Sequence, residues 1–252
     1  MSWLPLMLAA EAHGGENALE APTWLDFLHK VHGWPAWLPI QSVWSLVAIL
    51  LLVTVCYLGT RKMQRVPRGL QNVLEMAVVS LENFAQDILG PHGKAFTPFL
   101  GTLFIFIAVM NLMGLVPGFA APTSNLNVTL SMALVVFVVV QYHGLRQSGF
   151  RYFKHFVGEP VAAAPLMFPL HVISELVRPL TLALRLFGNV RGEDIAILSF
   201  ITLATSLPVY FRWLPLQFPL MLLGVLTSLV QALIFTLLTA VYLALASEEH
   251  EH

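Results

Sequence analysis

Arg185, Asn189, Glu193 and Asp194 fall within ten residues of a stretch otherwise dominated by Leu, Ala, Phe, Ile and Val, and no acid lies within seven residues of the arginine. A guanidinium remains protonated under essentially all conditions, so Arg185 is a fixed positive charge in a lipid-scale apolar run. Such a charge costs about 2.5–3.5 kcal/mol to insert, and intramembrane charges mark ion pathways far more often than not. Read as one helix at about 100° per residue, with Arg185 as zero, His171, Ser174, Arg178, Thr181, Asn189 and Gly192 share a stripe about 80° wide. Glu175 and Glu193 lie at its edge, and Asp194 points the opposite way. A polar stripe on an apolar helix calls for water, a partner helix or a moving charged surface. Gly188 and Gly192 open the Arg185 face to another helix. For Ser174 and Thr181, and for Gln231 elsewhere, interhelical hydrogen bonding is the simpler reading, and Asn111 is open to both.

These side chains must be held by membrane-spanning elements. The chain has 252 residues, 57% of them hydrophobic and 11% charged, which indicates a polytopic membrane protein, and apolar runs of helix-spanning length make the expected class all-α. A net charge of −1 argues against a nucleic-acid partner. The lone Cys56 excludes an internal disulfide. No His-Glu-x-x-His, Walker or Gly-x-Ser-x-Gly motif is present, so intramembrane enzyme chemistry has no visible basis, and no metal or cofactor is expected. The closing His250 and His252 lack metal-ligand spacing. Asn127-Val128-Thr129 matches a glycosylation sequon but abuts an expected span.

Crossing about 30 Å of hydrocarbon takes about 20 apolar residues. The expected organisation is a tail at 1–39, a transmembrane domain at 40–246 and an acidic cytoplasmic tail at 247–252. Spans are expected at 40–60, 97–117, 126–146, 165–206 and 213–246. The tail lacks the basic segment of a secretory signal and is expected to be retained, with Trp24, Trp34 and Trp37 at headgroup level. Arg61, Lys62, Arg65 and Arg68 after the first span, and Arg146, Arg151 and Lys154 after the third, place those ends in the cytoplasm and the N-terminus outside. At 70–89, apolar residues from Leu70 to Ile88 recur at i, i+3, i+4, i+7 opposite Gln71, Asn72, Glu75, Glu82, Asn83 and Asp87. That is an amphipathic helix, either along the cytoplasmic interface or packed beneath the membrane domain. The segment 165–206 is about 63 Å long as one helix, twice the bilayer core. Turn rules favour instead two ordinary spans joined by a loop at 188–194.

Four motifs occur in order: Asn111-Leu-Met-Gly-Leu-Val-Pro117, Asn125-Leu-Asn-Val-Thr-Leu-Ser-Met-Ala-Leu134, Leu184-Arg-Leu-Phe-Gly-Asn189 and Gln231-Ala-Leu-Ile-Phe-Thr-Leu-Leu-Thr-Ala-Val-Tyr242. With them the chain, over about residues 40 to 250, resembles subunit a of bacterial F-type ATP synthases, the membrane stator beside a rotating c-ring. The resemblance implies five transmembrane helices plus the amphipathic one, with the last two long, tilted and forming a hairpin. It replaces the loop at 188–194 by a continuous helix.

It further implies two aqueous half-channels. Asp194, Glu193, Asn189 and Gln231 match the outer, inlet side, where Glu193 and Asp194 are alternatives for the acid. Glu175, Ser174 and His171 match the cytoplasmic, outlet side, with His171 standing where a Glu is common. Arg185 matches the essential arginine between the two paths. Helix arithmetic puts it about 21 Å from His171 and about 14 Å from Asp194 along the axis. The implied partners are c-ring subunits, b-type peripheral stalk subunits, the rest of the synthase, membrane lipid and protons. The implied location is the bacterial inner membrane, with no nucleotide chemistry in this chain. A structural membrane scaffold is the competing class. A secondary transporter would show internal repeats, and none is visible.

Overall fold

The structure is a computed structural model that describes residues 40–61, 64, 68–90, 93–116, 118–148, 164–206 and 218–248. The N-terminal tail, the segment 207–217 and the tail from 249 lie outside the described residues, as do Lys62, Arg65, Arg151 and Lys154. Among the described residues the order is α1 (Ile40–Thr60), α2 (Leu70–Leu89), α3 (Gly93–Leu115), a 3-10 turn (Pro122–Ser124), α4 (Leu126–Ser148), α5 (Ala164–Ser206) and α6 (Phe218–Glu248), with no strand. Among the described residues, four segments are long and apolar enough to cross a membrane: Gln41–Thr60, Gly93–Leu115, Leu126–Arg146 and Phe218–Ala246.

Burial follows membrane rather than aqueous logic. Leu50, Val53, Leu222 and Leu226 are exposed, whereas Ala232, Thr236, Thr239 and Ala240 are buried. Helices without a hydrophobic drive between them approach closely through small residues and satisfy polar ones internally. Hydroxyls therefore bond back to their own helix: Thr236 Oγ1 donates to Ala232 O at 2.9 Å and Thr239 Oγ1 to Phe235 O at 2.8 Å. In α1, Ser45, Thr54 and Thr60 do the same toward Gln41, Leu50 and Cys56.

α2 is bounded by Gly69 and Gly90, whose φ values of 60° and 62° are open to glycine and strained for other residues. Of its apolar stripe, only Leu81 and Ala85 in the C-terminal half are buried, while Leu70, Val73 and Val78 are exposed. Lys94 pairs with Glu82 at 3.3 Å, and a Cβ at Gly93 would strike the Ala85 carbonyl. α2 thus packs against the start of α3 at one end and leaves apolar side chains uncovered at the other. α3 contains Pro98 in its second turn, where the Thr97 hydroxyl donates to Gly93 O at 3.1 Å.

α5 is one continuous helix of 43 residues, with Pro169 and Pro179 inside it. The turn suggested by Gly188, Asn189 and Gly192 does not form. α6 follows with 31 residues.

The chain divides into two compact units. One comprises Met1–Thr54, Phe106–Asn125 and Phe187–Gln231; the other comprises Val55–Ile105, Leu126–Leu186 and Ala232–His252. In the first, Trp44, Ile107, Met110 and Val190 form the apolar interior, and Trp44 meets Phe119 with ring centroids 5.0 Å apart. In the second, Leu100, Val136, Leu182, Leu186 and Phe235 are buried.

Candidate functional site

Within the first unit, α5 and α6 join through side chains one helical turn apart on each. Asn189 Nδ2 donates to Gln231 Oε1 at 2.5 Å. Gln231 is 3% exposed, and its Nε2 has no hydrogen-bond partner among the described residues. One turn further along α5, Glu193 Oε2 accepts from Thr227 Oγ1 at 3.0 Å. Gly224 makes room for that carboxylate, since a Cβ built there would land on Glu193 Oε1 and within 2.7 Å of Leu115. Gly224, Thr227 and Gln231 follow i, i+3, i+7 spacing, so one face of α6 carries the whole set.

Behind it lies a buried polar link. Asn111 Nδ2 donates to Ser228 O at 3.3 Å and Thr123 Oγ1 donates to Asn111 Oδ1 at 2.7 Å. With Asn111 at 2% and Thr123 at 0% exposure, this link is shut from solvent. It fixes the chain after α3 against α6. Asn111 is therefore a structural hydrogen-bonding residue in this unit.

Within the second unit, Glu175 is held from its own helix and from α4. Its Oε2 pairs with Arg178 Nη1 at 2.9 Å, and its Oε1 accepts from Gln141 Nε2 of α4 at 2.8 Å. The Arg178 guanidinium lies 5.4 Å from the centroid of the Tyr242 ring of α6, within cation–π range. Ser174 is exposed, while His171 is half-buried and engaged in an interaction of its own.

Arg185 belongs to the segment of α5 in this second unit. It is exposed, and it makes no hydrogen bond or ion pair among the described residues. Around it on α5, Ile173, Ser174, Val177, Leu180, Thr181, Leu184, Gly188 and Gly192 are also exposed. A Cβ at Gly188 or Gly192 would meet nothing within 4 Å. The opposite side of the helix, with Leu182, Ala183, Leu186 and Val190, is buried.

Of the residues singled out from sequence, the structure joins Asn189 to Gln231 and leaves Arg185 and Ser174 exposed. Glu193 reaches α6 at Thr227; Asp194 is half-buried and also engaged. Sequence reasoning missed Thr227, Gln141 and Tyr242 as partners. Thr227 was accessible, because it lies four residues before Gln231 on the same helix face. Gln141 stood out as an amide within an apolar span. Among the described residues, no group of three or more His, Cys, Asp or Glu converges on a common point suited to a metal ion.

Against known proteins, residues 42–244 match the family described as ATP synthase A chain. The chain is similar to the ATP synthase subunit a of Protochlamydia amoebophila, 46% identical over 234 residues that cover 89% of this chain and 83% of that protein. It is similar to the ATP synthase subunit a 1 of Syntrophotalea carbinolica, 43% identical with 88% and 86% covered. With the subunit a 2 of the same organism it shares 37% identity over 242 residues, covering 96% of this chain and 95% of that one.

Proposed function

This chain belongs to the ATP synthase A chain family, and on that premise we propose that it is the proton-translocating stator of the membrane sector of an F-type ATP synthase. It is a multi-pass protein of the bacterial inner membrane that crosses five times, with α5 as the fifth crossing segment and α2 near the cytoplasmic interface. The N-terminus faces outward and the C-terminus lies in the cytoplasm. Its partners are a ring of c subunits and the b-type peripheral stalk.

In this scheme protons arrive from outside along Glu193, Asp194, Asn189 and Gln231. They protonate a rotor carboxylate, which once neutral can turn through lipid. The proton leaves into the cytoplasm past Ser174 and His171, beside Glu175. Arg185 draws the returning carboxylate, favours its ionised form and keeps protons from passing directly between the two paths. The membrane potential contributes about 2.3 kcal/mol per charge per 100 mV, so several protons must be summed through rotation for each ATP.

The observation that carries this reading is Arg185 itself, an arginine in an apolar helix that is exposed and unpartnered among the described residues. An intramembrane cation normally finds a partner in its own chain. One without such a partner on a face flanked by Gly188 and Gly192 suits an anionic group brought by another subunit. The test is proton-driven ATP synthesis in membranes carrying the assembled enzyme. Arg185→Ala abolishes synthesis while the subunit still inserts, and Arg185→Lys is severely impaired because a point charge does not replace a planar fork. Wild-type coupling in the alanine variant would refute the role.

A further inference from the structure

Two arginines share the polar stripe of α5, and they are treated oppositely. Arg178 and Arg185 are two turns apart, about 10 Å along the axis, and their directions differ by about 20°. Arg178 is compensated on two sides, by the Glu175 carboxylate at 2.9 Å and the Tyr242 ring at 5.4 Å. Arg185 has neither.

Glu175 is equally committed. Each of its two oxygens already accepts from a donor, one from Arg178 and one from Gln141. Its side chain is 17% exposed. The space bounded by Glu175, Arg178, Pro179 and Tyr242 amounts to about 10 Å³ for a water-sized occupant, the lower limit for a single water molecule. With a guanidinium on one oxygen, an amide on the other and room beside it for about one water, this carboxylate is held by fixed donors. It is well placed to cancel a charge.

We propose that Glu175 is the counter-charge of Arg178, held in register by Gln141 and Tyr242, and that its task is to leave Arg185 as the uncompensated cation of this stripe. The inference rests on the stator reading above. Glu175 and Arg178 act on the rotor carboxylate through Arg185, as positioning residues rather than as steps of the proton path. Left without its counter-charge, Arg178 would compete with Arg185 for the arriving carboxylate. At this spacing and an intermediate dielectric, that competition is worth a factor of about ten.

The test is ATP-driven proton pumping by the assembled enzyme in inverted membrane vesicles, with the amount of subunit in the membrane measured in parallel. Glu175→Gln lowers pumping about tenfold. Adding Arg178→Gln to it restores pumping to within about threefold of wild type, because the stray cation is gone. The charge-swapped pair, Glu175→Arg with Arg178→Glu, also keeps most of the activity and covers the case in which Glu175→Gln fails to assemble. A double glutamine variant as inactive as Glu175→Gln alone overturns the proposal and makes Glu175 a proton carrier. Inactivity of the swapped pair at normal membrane abundance overturns it as well. Arg185→Ala, run alongside, separates the failures: wild-type pumping there removes the stator reading itself, whereas an inactive Arg185→Ala with no rescue at Glu175 removes only this inference.

Discussion

Gly224→Ala tests whether the Glu193 carboxylate sits where the structure puts it. A Cβ at Gly224 would overlap Glu193 Oε1 and come within 2.7 Å of Leu115 Cδ2 and 2.9 Å of Glu193 Cδ. Either Glu193 swings away and loses the 3.0 Å bond from Thr227, or α6 moves off α5. The first route forfeits a hydrogen bond to a charged group, about 1.5–3 kcal/mol. The second is overpacking, about 1–3 kcal/mol. The expected loss is therefore about 2 kcal/mol by either route, read as thermal stability of the assembled membrane sector, with a parallel drop in proton pumping. A double-mutant cycle with Glu193→Ala isolates the cause. With the carboxylate gone two of the three nearest atoms are removed, and the third is a Leu115 methyl at the end of a side chain that can rotate. The alanine at Gly224 should then cost at least about 1 kcal/mol less than in the wild-type background. Equal penalties in both backgrounds would show that Glu193 does not occupy this gap, and the inlet geometry built on it would fall.

Other expectations concern packing and the exposed face of α5. Asn111→Ala strands the buried Thr123 hydroxyl and costs about 1–3 kcal/mol of thermal stability, while Asn111→Leu combined with Thr123→Val recovers much of that by removing both polar partners. Gly93→Ala drives a Cβ to 2.5 Å from the Ala85 carbonyl oxygen, a backbone atom that cannot rotate aside. Its membrane abundance should fall, since the start of α3 must lift off α2. Gly188→Ala meets nothing within 4 Å in this chain, and removes a glycine that costs a helix about 1 kcal/mol. Its membrane abundance should hold while proton pumping falls, because the added methyl faces the proposed rotor. Unchanged pumping would argue against a closely apposed helix at that face.

The reading of Arg185 needed only its charge and its apolar surroundings, both properties of a single segment. The continuity of α5 past Gly188 and Gly192 was harder, because glycine, asparagine and acids in close succession normally signal a turn. In the folded chain those groups are spent elsewhere: the Asn189 amide goes to Gln231 and the Glu193 carboxylate to Thr227. Side chains that would otherwise stabilise a loop instead tie α5 to α6, and Leu186 and Val190 are buried on the helix's other side. Tertiary partners thus outweigh local propensity. The resemblance to a known family pointed to the continuous helix, whereas the turn rules did not.

Hydropathy, periodicity and charge belong to one stretch of chain, and they suffice to say which segments suit a bilayer and which stripe of α5 is polar. Arg178 has its counter-charge three residues earlier on the same helix, a pairing the sequence contains, but what holds Glu175 in place depends on which helix passes beside it. Glu175 meets a glutamine 34 positions away, and Asn189 a glutamine 42 positions away. Two arginines of one stripe come out opposite, one paired with an acid on its own helix and one open. Coulomb energy in a low-dielectric setting falls with distance in space, and only the fold sets that distance.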